Sequence, residues 1–325
     1  MRPLPLPSLD RALGLLVALI LTLSAVGTAG AQDTPTPTPA SDSELSSELP
    51  PPDLPTSNVE GYTFDIRSSL RADLEGVARE AAVYELVREE PTAESVRTLA
   101  DALGVEGDIE DRGDGSFTAS GNGELFVTLD LVQYSSVADV AEGELPSDEK
   151  AVNEAKDWLR SSTLLPPDIG VGKVVTRIDD ANRLIVAFSP AEPVNVLAAY
   201  PSISITMAAD GTVIEASVRW ANIVRADVYQ LLEIEQAWQL IESGQGFLDP
   251  ELDGAGLPAG SDVAGRATFS KIEIAYATSG PPGGRQYLQP VYVFSGRVRV
   301  EGLEDKTFPL KAYVPALANS GAPVG

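Results

Sequence analysis

The chain is 325 residues long, has no cysteine and no histidine, and carries 48 Asp and Glu against 23 Lys and Arg. These absences exclude disulfides, thiolate chemistry, an imidazole-based triad and histidine-ligated zinc. A formal net charge of −25 argues against nucleic acid as a partner, because that affinity rests on cations that neutralise phosphates.

Residues 1–31 have the form of a signal peptide. Arg2 and Arg11 make a positive start, residues 13–26 are mostly apolar, and Ala29, Gly30 and Ala31 supply the small residues of a cleavage site. The apolar run is shorter than the ~20 residues of a spanning helix, although an uncleaved N-terminal anchor is the alternative. The expected location is extracytoplasmic, either secreted or tethered to the outer face of the cytoplasmic membrane. Any membrane contact would then run through this segment alone. Residues 32–58 are rich in Pro, Thr, Ser and acid, a composition that cannot bury a core and predicts a disordered linker.

Residues 59–145 read as a smaller N-terminal α+β module. The segment 81–87 is ambiguous between helix and strand. Thr92 caps a predicted helix with Val96, Leu99, Ala100 and Leu103 on one stripe, and Gly104 stops it. Strands follow around Ile109, 116–120 and 124–131. Residues 146–226 form the next predicted module, with Ser147 capping a helix that carries Ala151, Val152, Ala155, Trp158 and Leu159. Strands are expected at 173–178, 184–188, 202–208 and 213–220, the last two joined by a turn at Asp210 and Gly211.

Residues 227–317 complete the series. A helix is predicted over 231–241, then a Gly/Asp/Pro-rich insert over 246–265, then strands at 268–276, 288–300 and 307–317. Within 288–300, Val291, Tyr292, Val293 and Phe294 are apolar on both parities, so both faces should be covered there. From Gly296 onward, Val298 and Val300 alternate with Arg297, Arg299 and Glu301, so one face should return to water. Pro309 and Pro315 limit ladder donation and place 307–317 at a sheet edge. Residues 318–325 read as a flexible tail. The expected fold class is α+β, built of tandem modules of one helix plus an antiparallel meander.

Candidate chemistry is sparse, and the ligand-binding residues are left open. Ser147 and Lys150 match the S-x-x-K pattern of penicillin-reactive serine enzymes, but no S-D-N or K-T-G partner occurs, and a helix cap explains the same residues. Asp249, Glu251, Asp253 and Gly254 imitate the opening of a calcium loop, whose closing position holds Gly260. Asp108, Glu110, Asp111 and Asp114 make a second acidic turn. Trp158, Trp220 and Trp238 fall on apolar faces and read as core. No catalytic residue, metal ligand or cofactor is expected.

The segments 229–244 (YQLLEIEQAWQLIESG), 287–294 (YLQPVYVF) and 308–315 (FPLKAYVP) resemble the opening helix and closing strands of YycH/YycI-type regulatory domains. Those domains are similar to PepSY modules, and the likeness covers about residues 147–317. It implies a non-enzymatic extracytoplasmic protein that regulates another envelope protein, a sensor or a protease, through protein–protein contacts. Two alternatives stand beside it. One is a cell-wall or glycan hydrolase using Asp/Glu pairs or Ser147 and Lys150. The other is a calcium-stabilised adhesion or wall component. Oligomeric state is left open.

Overall fold

The computed structural model describes residues 49–318, apart from 56–61, 75, 139, 198–199, 253–254, 258–259, 282 and 304. The expected signal peptide at 1–31, most of the expected linker and nearly all of the expected tail lie outside the described residues. Among the described residues, no helix is long and apolar enough to cross a membrane.

In chain order the elements are β1 (Thr63–Leu70), β2 (Glu80–Val87), α1 (Ala93–Leu103), β3 (Glu110–Asp111), β4 (Phe117–Ser120), β5 (Gly123–Val127) and β6 (Val132–Ser136). Then come α2 (Asp148–Ser161), β7 (Lys173–Ile178), β8 (Arg183–Phe188), β9 (Ser202–Ala208), β10 (Val213–Arg219) and β11 (Asn222–Gln230). The chain closes with α3 (Ile234–Glu242), β12 (Phe247–Pro250), β13 (Asp262–Ser279), β14 (Gln286–Val300) and β15 (Phe308–Pro315).

Local chemistry accounts for the helix ends. The Thr92 hydroxyl accepts from the Ser95 amide at 3.1 Å, the Ser95 hydroxyl accepts from the Thr92 amide at 2.9 Å, and Gly104 ends α1 in the left-handed region. Ser147 caps α2 by accepting from the Lys150 amide at 3.4 Å, with Asp148 and Glu149 in the favourable first turn.

The strands form two sheets, and this overturns the expected fold class. Among the described residues the fold is mostly β, 46% strand against 15% helix, and the strands are not partitioned into tandem helix-plus-meander modules. One sheet of eight strands runs β3-β4-β5-β6-β10-β9-β8-β7, so strands on both sides of α2 fuse through the β6·β10 pair into a single surface. The other sheet, of seven strands, runs β1-β13-β14-β15-β12, with β2 pairing both β14 and β11. It therefore collects strands from both ends of the described chain. Periodicity reports only which residues share a face of one element. It carries no information about which distant strand completes the ladder, and that is where the modular expectation failed.

Three further expectations are corrected. Residues 231–241 are not one helix: Leu231 bridges to Leu317, and α3 begins only at Ile234. The strand at 307–317 is not an edge, because β15 lies between β14 and β12. Its Pro309 still takes part by accepting from the Glu251 amide at 3.0 Å. Residues 50–54, expected in the linker, lie against the sheet. Pro50 accepts from Gln289 Nε2 at 2.6 Å, the Asp53 amide donates to Thr278 at 2.6 Å, and Leu54 packs beside Ala275 and Val291.

β14 is the centre of the seven-stranded sheet. β13 occupies one of its edges along almost the whole length, while β15 and β2 share the other end to end. Its largest core is on the face covered by α3, where Phe269, Tyr292, Phe294, Val298 and Leu310 pack with Ile234, Ala237 and Ile241. Trp238 of α3 closes that core, with its ring centroid 5.7 Å from Phe269 and 6.0 Å from Phe294.

Candidate functional site

The opposite face of the same sheet is divided. Near the β13–β14 turn it is covered, and Ala275, Ala277, Val291, Val293 and Tyr313 form a second small core with Leu54, Leu197 and Phe247. Toward the other end, among the described residues, its side chains are mostly polar and exposed. This matches the pattern in the sequence. Val291 to Phe294 are at most 6% exposed on both parities, whereas Arg297 and Arg299 are exposed and Val298 and Val300 are buried.

The register of three strands then sets the chemistry. Arg67 of β1 pairs with Arg266 of β13, and Arg266 pairs with Arg299 of β14, so three arginines form one row across the sheet. One step along the strands lies a row of Ser69, Thr268 and Arg297. A bulge at Ser270 then keeps Lys271 on this face opposite Ser295, which in turn pairs with Lys311 of β15. On the other side of the arginine row stand Asp65 and Glu301. All four arginines, Lys271 and Lys311 are exposed.

None of the four arginines forms an ion pair with a described carboxylate. Lys271 does, 2.7 Å from Glu273. Arg297 is held in place by the β14–β15 turn, donating from Nε to the Thr307 hydroxyl at 2.9 Å and from Nη2 to the Thr307 carbonyl at 3.0 Å. A depression of about 620 Å³ opens here, lined by Arg266, Arg297 and Arg299 together with Thr268, Thr307 and Glu301. Like charges directly opposite on neighbouring strands destabilise a sheet. The row is therefore locally repulsive, and in a chain of net charge −25 it is a cationic patch suited to meet an anion.

Glycine at 296 lets the register form. It stands opposite Phe269 at the bulge, and a Cβ there would come within 2.2 Å of the Thr268 carbonyl oxygen. The two long strands therefore approach closely only because this position has no side chain.

The residues singled out from sequence that are described lie elsewhere and are not brought together, while Asp253 and Gly254 of the calcium-loop pattern lie outside the described residues. Ser147 is the cap of α2, and Lys150 Nζ lies 3.5 Å from Glu154. Asp249 is in β12, opposite Lys311, and belongs to a ladder instead of a loop. In the other acidic turn, Asp111 accepts from the Gly113 amide at 2.8 Å and Asp114 from the Ser116 amide at 3.0 Å. The hydrogen bonds from Ser116 hold the Asp114 carboxyl below the usual carboxylate range. Trp158, Trp220 and Trp238 are half-buried against the cores, with Trp220 Nε1 donating to Asp168 at 3.0 Å.

Sequence reasoning named none of the four arginines as a site: it placed Arg297 and Arg299 on a face returning to water and did not single out Arg67 or Arg266. A signal for Arg67 was present, since residues 63–70 alternate Phe64, Ile66 and Leu70 with Thr63, Asp65, Arg67 and Ser69, the period of a half-buried strand. Their adjacency to Arg299 depends on the parallel pairing of β1 with β13, which no local pattern encodes.

No family model matches the chain, and no curated protein matches it. Among solved structures, one that is similar is an uncharacterized protein from Eubacterium rectale, at 9% identity and a TM-score of 0.42, covering 82% of this chain and 92% of that one. Another is the YpeB C-terminal domain of Bacillus megaterium, a distant structural neighbour at 16% identity and a TM-score of 0.33, covering 71% of this chain and 100% of that one.

Proposed function

We propose that this is a non-enzymatic extracytoplasmic protein that binds and regulates another envelope protein, a sensor or a protease, through the exposed arginine face of its seven-stranded sheet. The observation that carries the reading is the cross-strand row of Arg67, Arg266 and Arg299. Three exposed like charges in register work against the sheet, and a binding role accounts for their presence. The resemblance of 287–294 and 308–315 to the closing strands of YycH/YycI-type regulatory domains supports the same reading. So does the export signal read in residues 1–31.

Site-directed photo-cross-linking tests it. A photoreactive side chain at Thr268, in the middle of the face, should capture one defined protein at the cell surface. The same group at Glu215, exposed on the eight-stranded sheet, should not. Equal capture from both positions, or a reproducible catalytic turnover that survives without any partner, would contradict the proposal.

A further inference from the structure

We infer that the arginine face takes a short acidic segment of the partner protein, in preference to an anionic membrane surface or a long phosphate polymer. This rests on the partner-binding reading above and adds the chemistry of the ligand.

The first support is the choice of cation. All four central positions are arginine, the commoner base of this chain at 17 against 6 lysines, and the support lies in the geometry of the group. The planar guanidinium fork takes a carboxylate through two parallel hydrogen bonds, which a lysine ammonium does not do. Thr268 and Thr307 place hydroxyls between and beside these forks.

The second is spacing. Arg297 and Arg299 are two residues apart on β14, which puts them ~7 Å apart along the strand. Alternate side chains of an extended peptide repeat at the same distance, so acids at positions i and i+2 of a bound segment fall over these two arginines. Arg67, Arg266 and Arg299 lie across the strands, where neighbours are ~5 Å apart and the row spans ~10 Å. The patch thus accommodates a few anionic groups and no more.

The third is what surrounds the patch. Asp65 and Glu301 border the row on one side, and the chain as a whole is strongly acidic. At physiological salt, charges interact over ~8 Å, about the size of the patch. A short segment stays within the cationic zone. A lipid surface or a long polyphosphate extends past it and meets like charge. The bordering acids also favour a segment whose carboxylates are followed by a base, which Asp65 and Glu301 would receive.

The full chain should be titrated at low and at high salt with four probes by fluorescence anisotropy. They are a labelled synthetic peptide with Asp and Glu at alternate positions followed by Lys, its Asn/Gln counterpart, phosphatidylglycerol vesicles and inorganic polyphosphate. The acidic peptide should bind best and weaken with salt. In the Arg266→Gln/Arg299→Gln variant its affinity should fall by on the order of tenfold or more, with the thermal transition retained. Equal binding of the acidic peptide to wild type and variant would overturn the inference. So would tighter binding of vesicles or polyphosphate through the same arginines. If no acidic peptide binds while Thr268 still captures a surface protein in an arginine-dependent way, the acidic-segment inference fails and the partner-binding reading stands. If that capture is also lost, both fall.

Discussion

Arg266 on β13 stands directly opposite Arg299 on β14, and both side chains are exposed. In an antiparallel pair, directly opposite Cβ atoms are ~5 Å apart, so two positive side chains start from adjacent positions, and neither forms an ion pair with a described carboxylate. Folding alone would favour a neutral or acidic residue at one of these positions. Arg266→Gln or Arg299→Gln should therefore leave stability unchanged or raise it, by up to about 1 kcal/mol. Thermal unfolding at low salt reads this out. A loss of stability would mean the arginines support the sheet and would remove the argument that they are kept for binding.

Gly296 should tolerate nothing larger. Because a Cβ would lie 2.2 Å from the Thr268 carbonyl oxygen, Gly296→Ala must push β14 away from β13 at the bulge. The expected cost is about 1–3 kcal/mol, from overpacking against backbone that has little room to move. Denaturant unfolding measures it, and partner binding should weaken too, since the arginine row depends on this register.

Trp238 fastens α3 to the buried face of the same sheet. Trp238→Ala removes its ring contacts with Phe269 and Phe294 and leaves a cavity above them, which should cost about 3 kcal/mol. Chemical unfolding should show this loss. Binding by the folded fraction should persist, because the arginines are on the other side of the sheet.

Alkaline pH should destabilise the protein. Burial pushes the phenols of Tyr200, Tyr292 and Tyr313 up to about 12, and the Tyr292 hydroxyl donates to the Leu232 carbonyl at 2.8 Å. A group whose pKa is higher in the folded state stabilises that state below its unfolded value of about 10. The contribution is lost as pH rises from there through about 12. With no histidine in the chain, stability should be nearly flat between about pH 6 and 9. Tyr292→Phe should cost about 1 kcal/mol at neutral pH through the lost hydrogen bond and should shallow the alkaline decline.

Much of the local structure was legible. Thr92, Gly104 and Ser147 marked helix ends because their side chains, or the lack of one, satisfy specific orphan backbone groups. The change of pattern at Gly296 marked where one face of β14 leaves the core and put Arg297 and Arg299 on the side facing water, without marking them as a site. β11 was not legible. Its residues are mostly exposed or half-buried on both parities, so no period survives in NIVRADVYQ. The assembly of strands was hidden for a different reason. β1 pairs with β13 across most of the chain, and β6 pairs with β10 across α2 and three strands. Such pairings are set by the fit of whole surfaces, so neither the two-sheet architecture nor the row of Arg67, Arg266 and Arg299 could be assembled from segments read in order.

The most direct test is the affinity of the captured partner for wild type and for Arg67→Gln/Arg266→Gln/Arg299→Gln, measured side by side at physiological salt. The triple variant should stay folded, with an unchanged or higher melting temperature, and bind on the order of a hundredfold more weakly. Undiminished affinity in a folded triple variant would contradict binding through the arginine face.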